Sequence, residues 1–253
     1  GADTVKVKLA DGRSFDAKVV GSDVLTDIAV LKVEADVDLP AVKFGSSDDM
    51  RVGDEVVAMG NPFGLGGTVT TGIISAKSRN INAGPYDDFI QTDAAINRGN
   101  SGGPPFNNAG EVIGVNTAIL SPDGGSVGIG FSVPSDLVQD IVADLSDDGE
   151  ITRGWLGVQI RPMTAEVAQV LGLDAPKGAV IEAIGDDSPA KKAGLEKGDI
   201  ILSFNDTEIK ELRDLTRAVA ETDPEAKAEV MVLHKGKEVT RTVTIGTLAD
   251  QKA

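Results

Sequence analysis

The strongest constraint on the fold is a series of short apolar runs separated by turn residues. Apolar and polar residues alternate over residues 5–10 and 15–19, with Asp11-Gly12 between them, which predicts a β-hairpin. Run 28–33 is almost wholly apolar and predicts a strand buried on both faces. Further strands are predicted at Glu55–Met59, Thr68–Ser75, Phe89–Gln91, Val112–Ile119 and Gly128–Val133. Short strands at this even spacing predict an antiparallel sandwich or barrel.

The pattern changes after Pro134. Apolar residues then recur three and four positions apart, which predicts a helix beginning at Ser135. Those residues are Leu137, Val138, Ile141, Val142 and Leu145. The polar stretch over residues 146–153 is interpreted as a linker. A second block, residues 154–247, contains two helical patterns and several strands, so we expect two domains in the 253 residues.

The composition excludes several classes of protein. With 40 acidic and 24 basic residues the formal net charge is -16, which repels nucleic acid and anionic membranes, so no nucleic-acid partner is expected. The chain has no cysteine, which excludes disulfides, zinc–thiolate sites and thiol catalysis. No apolar run approaches the roughly 18 residues of a membrane-spanning helix.

The most informative segment is Gly99-Asn100-Ser101-Gly102-Gly103. Three glycines around one serine allow a tight turn that presents the hydroxyl and neighbouring N–H groups to one point. Acyl transfer requires this, because the hydroxyl attacks a carbonyl while the N–H groups of Gly99 and Ser101 stabilise the developing oxyanion. Taken alone, the same five residues also fit an ordinary flexible turn, since Gly, Asn and Ser dominate turns.

Five segments in order along the chain resemble the HtrA/Deg family of chymotrypsin-like serine proteases. They are Asp11-Gly12-Arg13, residues 26–31, residues 60–64, the Ser101 segment and Gly128-Ile129-Gly130-Phe131. The resemblance implies a mainly β fold, with a chymotrypsin-like double β-barrel protease domain at residues 1–145 and an α+β PDZ domain at residues 154–247. The first barrel is expected to be incomplete.

The resemblance also implies catalytic roles. Ser101 matches the nucleophile, Asp27 the carboxylate that orients the general base, and Gly99, Asn100 and Ser101 the oxyanion hole. A carboxylate between Thr26 and an apolar strand needs a hydrogen-bonding partner if it is buried, and an imidazole is a suitable one. The alternative for Asp27 is a local turn at the strand entry. Asp93, a rival carboxylate closer to Ser101 in sequence, is ranked as structural.

The resemblance further implies a specificity pocket for small aliphatic side chains, lined by Ile96, Ile119 and Ile129. The alternative is that all three are simple core residues. The glycine-rich stretch 127–131 is interpreted as a strand edge that pairs with the backbone of the substrate. Because such pairing depends on the backbone and not on the side chains, it suits unfolded substrates.

The second block resembles the PDZ domains fused to these proteases. Residues Trp155, Leu156, Gly157 and Val158 match the loop whose N–H groups receive a peptide C-terminus, and Leu212 and Leu215 match the helix lining the groove. Residues 194–201 form a motif typical of such domains. Residues 248–253 are interpreted as a further linker.

The general base is not apparent. The only histidine is His234, which we expect on an exposed hairpin of the second block, with no route to Ser101. In the family the catalytic histidine lies a few residues before the position of Gly1, so we expect an N-terminal truncation. Removing one triad member costs about ten-thousandfold to a millionfold in rate, so this polypeptide is expected to be nearly inactive. The alternative is a pseudoprotease or a non-catalytic, chaperone-like peptide-binding fragment.

The resemblance further implies a periplasmic protein of quality control under stress. It implies no cofactor and no metal, and homotrimers or larger homo-oligomers in the complete protein. Expected partners are unfolded or misfolded polypeptides and, at the PDZ groove, C-terminal peptides.

Overall fold

The chain forms two compact units, residues 1–151 and residues 152–253. The computed structural model describes residues 4–147, 149–173 and 175–248. The predicted linkers include residues 148 and 249–253, which lie outside the described residues. Within those ranges, none of the helices has the length and apolarity needed to cross a membrane.

Unit 1 opens with a three-stranded antiparallel sheet. Its strands are β1 (Thr4–Lys8), β2 (Ser14–Asp23) and β3 (Ile28–Val33), in the order β1-β2-β3. Val5 lies opposite Ala17 and Val7 opposite Phe15, so the predicted hairpin is confirmed.

The prediction that run 28–33 is buried on both faces was wrong. Ile28 and Val30 pack with Leu145 of helix α1 (Ser135–Asp147), whereas Leu31, on the opposite face, is 39% exposed. The reason is that β3 ends a small sheet and packs on α1 with one face only.

The second sheet of unit 1 is six-stranded and antiparallel, in the order β7-β4-β5-β6-β9-β8. The strands are β4 (Glu55–Gly60), β5 (Thr68–Arg79), β6 (Phe89–Thr92), β7 (Pro105–Phe106), β8 (Gly114–Ile119) and β9 (Gly130–Pro134). A 3-10 turn, Pro62–Gly64, lies between β4 and β5. All strands predicted here are present, with ends displaced by at most four residues. The sheet buries a core of Val56, Ala58, Ile74, Ile90, Ala94, Ile96 and Ile113.

Two prolines follow the serine turn, and the sheet accommodates both. Pro105 lies in β7, which is the edge strand beside β4, where a missing N–H breaks no ladder. The carbonyls of Pro104 and Pro105 accept from Met59 and Ile113 at 3.0 and 2.9 Å. The prolines therefore keep their acceptor role in the sheet.

Helix α1 buries the predicted apolar face through Val138, Ile141 and Leu145. It continues through Ser146 and Asp147, two residues that the sequence had placed in the linker.

Unit 2 contains strands and short helices. The strands are β10 (Gly154–Trp155), β11 (Val158–Pro162), β12 (Ala179–Ile184), β13 (Ile200–Phe204), β14 (Thr207–Glu208), β15 (Lys227–His234), β16 (Lys237–Thr244) and β17 (Gly246–Thr247). The helices are α2 (Ala165–Val170), α3 (Pro189–Lys192) and α4 (Leu212–Ala220). The main sheet has the order β11-β12-β13-β15-β16, with β14 on β13, and β10 pairs with β17 separately. This arrangement, together with the strands of unit 1, confirms the mainly β prediction with an α+β second domain.

Candidate active site

Ser101 lies on an exposed turn between β6 and β7. Its hydroxyl donates to the carbonyl of Thr117 at 3.0 Å. The turn is fastened to β8 from behind, because the N–H of Gly102 donates to the Asn116 carbonyl at 2.7 Å and the N–H of Asn116 donates to the Gly103 carbonyl at 2.9 Å. The serine is therefore presented on a turn with a fixed backbone.

Two N–H groups in this turn are available to a ligand. Within residues 4–147, neither the Gly99 N–H nor the Ser101 N–H donates to a protein acceptor. The Asn100 N–H is different, since it donates to the Asn97 carbonyl at 3.0 Å. Of the three residues predicted to form the oxyanion hole, the Asn100 N–H is thus engaged within the turn, while Gly99 and Ser101 keep N–H groups that a ligand could use.

Gly99 is required by the shape of the turn. Its φ is +99°, and a Cβ there would lie 2.4 Å from the carbonyl oxygen of Asn61. The same neighbour fixes the turn, because the N–H of Asn61 donates to the Gly99 carbonyl at 3.2 Å and the N–H of Phe63 donates to the Arg98 carbonyl at 2.9 Å.

Asp27 lies in the turn before β3, with a φ of 60°. It is exposed rather than buried, and its Oδ2 accepts a hydrogen bond from the hydroxyl of Thr117 at 2.6 Å. The sequence predicted an imidazole beside Asp27 if this carboxylate were buried. In the structure the carboxylate is exposed and its hydrogen-bond partner is Thr117. Asp27 and Ser101 are 74 positions apart in the sequence. Both form a hydrogen bond with the same residue, Thr117.

The sequence interpretation did not single out Thr117, the residue that hydrogen-bonds to both Asp27 and Ser101. It sits at an irregularity of the β8–β9 register, between Asn116 and Ala118, and β-bulges of this kind re-aim side chains beside active sites. The only signal in the sequence was a polar Asn116-Thr117 pair inside an otherwise apolar run.

The other two candidates, Asp93 and His234, form hydrogen bonds with residues other than Ser101, Asp27 and Thr117. Asp93 Oδ1 accepts from the Ile73 N–H at 2.7 Å, a bond between β5 and the segment after β6. His234 ends β15 in unit 2, and its Nδ1 lies 2.7 Å from Asp199 Oδ1. His234 does lie in a hairpin, opposite Lys237, but the prediction that it is exposed was wrong, because its side chain is only 19% exposed and is held against a buried carboxylate.

The three predicted pocket residues occupy different environments. Ile96 is 2% exposed and belongs to the buried core of the sheet, with Ile119 packed against it. Ile129 is half-buried, and its carbonyl accepts from the Leu120 N–H at 3.1 Å. Gly130 approaches Ile96 closely, since a Cβ on Gly130 would lie 2.7 Å from Ile96 Cγ1.

The predicted substrate edge was misplaced. Gly130 and Phe131 of β9 pair with β6 on one side and with β8 on the other, so this part of the predicted edge is closed. The strand at the end of the sheet is β8, which carries Thr117 and Ile119. Sequence patterning could not distinguish the two, because strand order is set by long-range pairing.

In unit 2, the loop between β10 and β11 has the form of a carboxylate receptor. The Leu156 and Gly157 carbonyls accept from Ala190 and Gly185 at 3.0 and 2.9 Å, whereas their N–H groups have no acceptor in the described part of the unit. Gly157 has a φ of +80°, and a Cβ there would lie 2.3 Å from Ser188 Cβ. Successive free N–H groups of this kind bind anions.

The predicted groove residues divide into core and surface. Leu156 and Leu215 are 3% and 2% exposed and belong to the core, while Trp155, Val158 and Leu212 are half-buried. Strand β11 ends the sheet and lies beside α4. An extended peptide could therefore add to β11 along α4 and end at the β10–β11 loop.

No group of three or more His, Asp or Glu placed to hold a metal ion occurs among the described residues.

Comparisons with known proteins agree with both units. A family described as "Trypsin-like peptidase domain" matches residues 1–115, and a family described as "PDZ domain" matches residues 154–245. A protein of Rhizobium meliloti named "Probable periplasmic serine endoprotease DegP-like" is 52% identical over 242 residues, which are 96% of this chain and 48% of that protein. The chain thus spans about half the length of the curated relatives it matches.

Solved structures give the same result. "HtrA-type protease AlgW with tripeptide" has a TM-score of 0.91 and 46% identity, covering 100% of this chain and 84% of that chain. The "serine endoprotease from Yersinia pestis" has a TM-score of 0.74 and 36% identity, with 98% and 81% covered. The names of the curated relatives confirm the predicted periplasmic setting. The chain belongs to the HtrA-type, DegP-like family of serine endoproteases that carry a PDZ domain.

Proposed function

We propose that this chain is the catalytic and peptide-recognition part of a periplasmic serine endopeptidase, with a protease domain at residues 1–145, a linker at 146–153 and a PDZ domain at 154–247. The proposal rests on the hydrogen bonds by which Thr117 holds both Asp27, at 2.6 Å, and Ser101, at 3.0 Å. This arrangement sets a carboxylate and a hydroxyl beside two unengaged N–H groups.

The roles follow from this geometry. Ser101 attacks the scissile carbonyl, and the oxyanion that forms accepts hydrogen bonds from the N–H groups of Gly99 and Ser101. Asp27 keeps an oxygen for the imidazole that takes the serine proton, while Thr117 orients the carboxylate from the other side. Unit 1 has no histidine, and the base is proposed to be an imidazole from outside these 253 residues.

The proposed substrates are unfolded or misfolded polypeptides of the periplasm. The edge of strand β8 can form hydrogen bonds with the backbone of a substrate, which favours the binding of extended chains. Ile96, Ile119 and Ile129 are proposed to select a small aliphatic side chain beside the cleaved bond. The loop at residues 155–158 is proposed to receive C-termini of substrates or activating peptides, and the complete protein is proposed to act as a homotrimer or larger homo-oligomer.

A fluorophosphonate probe and casein hydrolysis test the proposal. We expect neither labelling nor cleavage with this chain, and both with a longer protein that adds the segment ahead of Gly1. Both should be lost on Ser101→Ala. Labelling and cleavage by this chain itself, abolished by Ser101→Ala, would overturn the assignment of the base. Failure of the longer protein to cleave would overturn the endopeptidase assignment.

A second candidate function is peptide binding or chaperone-like activity without catalysis. It is favoured by one observation, that the chain's single histidine is bonded to Asp199 in unit 2. Titration with a peptide bearing a free C-terminus measures this function directly. Gly157→Ala should abolish binding, whereas Gly172→Ala, which also has a positive φ but open space around its Cβ, should leave it unchanged. Binding by both variants would refute the assignment of the loop.

A further inference from the structure

Asp27 belongs to the short loop, residues 24–27, that joins β2 to β3. Its backbone lies in the left-handed region, with a φ of 60°, which L residues adopt at a cost in free energy. The tip of the loop is open to solvent, since Val24 is 89% exposed, and Asp27 is itself exposed. The position of its carboxylate therefore depends on how the loop is held at its base.

Asp23 closes the base of this loop and is buried, with 6% of its surface exposed. Its Oδ2 accepts from the Thr26 hydroxyl at 2.5 Å, and its Oδ1 accepts from the Leu25 N–H at 3.3 Å. In the β2–β3 ladder Asp23 lies opposite Ile28. Asp23 is thus bonded to the residue before Asp27 and paired with the residue after it.

Both neighbours of Asp27 are buried along with Asp23. Thr26 is 9% exposed and Ile28 is 6% exposed. A buried carboxylate needs hydrogen-bond donors, and a bond from a hydroxyl to a carboxylate is stronger than a bond between neutral groups. The Thr26–Asp23 bond therefore holds Thr26 in one conformation, and the backbone of Asp27 starts from that fixed point.

We propose that Asp23 is a positioning residue for proteolysis, which acts through Thr26 to fix the backbone of Asp27. With the loop held at its base, Asp27 keeps Oδ2 on the Thr117 hydroxyl and leaves its other oxygen for the base. The inference rests on the proposed function, since it assumes that Asp27 orients a general base.

Crystal structures of this chain and of its Thr26→Val variant test the positioning without any need for hydrolysis. Thr26→Val removes the hydroxyl and keeps the branched shape of the side chain. We expect Asp27 Oδ2, which lies 2.6 Å from the Thr117 hydroxyl, to move beyond about 3.5 Å, where a hydrogen bond is lost. Thr26→Ser keeps a hydroxyl and should retain the bond. An unchanged Asp27–Thr117 bond in Thr26→Val would overturn the proposal.

Asp11→Ala is the matched control. Asp11 lies in the neighbouring β1–β2 hairpin of the same sheet, and its Oδ1 accepts from the N–H of Arg13, two positions further on, at 3.0 Å. Its loss should leave the Asp27–Thr117 bond in place. Displacement of that bond in Asp11→Ala would show that any weakening of the sheet moves Asp27, and would refute a specific role for Asp23.

A second variant covers the case in which Thr26→Val does not fold, as judged by the loss of a cooperative urea transition in circular dichroism. Asp23→Asn keeps the size of the side chain but replaces one carboxylate oxygen by an NH₂ group, so it cannot accept both bonds. The same displacement of Asp27 is then expected. Retention of the Asp27–Thr117 bond in a folded Asp23→Asn variant would equally refute the proposal.

Kinetics of the longer, active protein add a measurement that a merely structural role would not change. Thr26→Val should lower kcat about tenfold with little change in KM, because the imidazole needs Asp27 most in the transition state. Thr26→Ser should retain most of kcat. A higher KM with an unchanged kcat would contradict the positioning role.

A double variant tests whether Thr26 acts through Asp27. Thr26→Val and Thr117→Val both disturb the orientation of Asp27, so together they should lower kcat little more than either change alone. Losses that multiply would show that Thr26 acts independently of Asp27 and would overturn the inference. If the longer protein cleaves nothing, the proposed function fails, while the crystal structures still decide whether the Thr26–Asp23 bond positions Asp27.

Discussion

The hydroxyl of Thr117 donates to the Asp27 carboxylate at 2.6 Å, while the carbonyl of the same residue accepts from Ser101 at 3.0 Å. The first bond crosses from the six-stranded sheet to the turn that precedes β3. Thr117 therefore fixes two groups that come from distant parts of unit 1, and the register irregularity in β8 places it there.

Replacing Thr117 by valine tests its role. Thr117→Val removes the hydroxyl donor, keeps the side-chain shape and leaves the backbone carbonyl for Ser101. In the longer, active protein we expect kcat/KM to fall about tenfold, because Asp27 loses a charge-assisted hydrogen bond that orients it. Thr117→Ser keeps the hydroxyl and should retain most of the activity. Full activity of Thr117→Val, or a loss in Thr117→Ser as large as that in Thr117→Val, would contradict the role of the hydrogen bond.

Gly99 is expected to tolerate no side chain. Gly99→Ala combines a φ of +99° with a Cβ 2.4 Å from the Asn61 carbonyl oxygen, so we expect a loss of about 1–3 kcal/mol in the free energy of unfolding. Gly110 is the matched control, since its φ is +77° but no atom lies within 4 Å of its Cβ position. Urea denaturation of both variants measures the difference. An equally mild effect at both positions would contradict the close packing of Gly99.

The strands and the serine turn could be predicted because their signals are local. Alternating apolar residues, the Asp11-Gly12 turn and the glycines around Ser101 each act over a few positions. Thr117 could not be found in this way, since its importance depends on Asp27, which is 90 positions away.

Errors in the prediction have the same origin. The substrate edge was assigned to residues 127–131 from their glycine content and extended pattern, but pairing on both sides of β9 closes Gly130 and Phe131 and leaves β8 at the end of the sheet. His234 was predicted to be exposed because it lies where a strand meets a hairpin turn, yet Asp199, 35 positions earlier in the sequence, supplies a buried carboxylate beside it. Contacts between distant segments are not encoded in local pattern.

His234 is expected to stabilise unit 2. Asp199 Oδ1 accepts from His234, while its Oδ2 accepts from the Glu196 N–H at 2.9 Å. His234→Leu leaves a buried carboxylate oxygen without its partner, which should lower the free energy of unfolding by about 1–3 kcal/mol. Fluorescence of Trp155, the single tryptophan, reports the urea unfolding of unit 2.

The control for this change lies next to it. Lys235 pairs with Glu196 at 3.2 Å, but both side chains are more than half exposed, so Lys235→Ala should have little measurable effect. Fluorophosphonate labelling of Ser101 in the longer protein should be the same for His234→Leu and for the unchanged sequence. Loss of labelling would indicate that His234 acts as the base after all.

Asp136 should make the free energy of unfolding of unit 1 depend on pH. Burial acts to raise the pKa of Asp136, but hydrogen bonds from the Ser47 hydroxyl, the Asp48 N–H and the Ser46 hydroxyl outweigh it and hold the pKa below 3.8. A carboxyl with a lowered folded-state pKa stabilises the fold above its unfolded pKa, and this contribution is lost as the pH falls through the folded pKa. Asp136→Asn should therefore cost about 1–2 kcal/mol at pH 7 and much less near pH 2. Urea unfolding followed by circular dichroism measures this, with Asp140→Asn, an exposed position on the same helix, as the control. A penalty for Asp136→Asn that is equal at both pH values would show that the charge of the carboxylate contributes nothing.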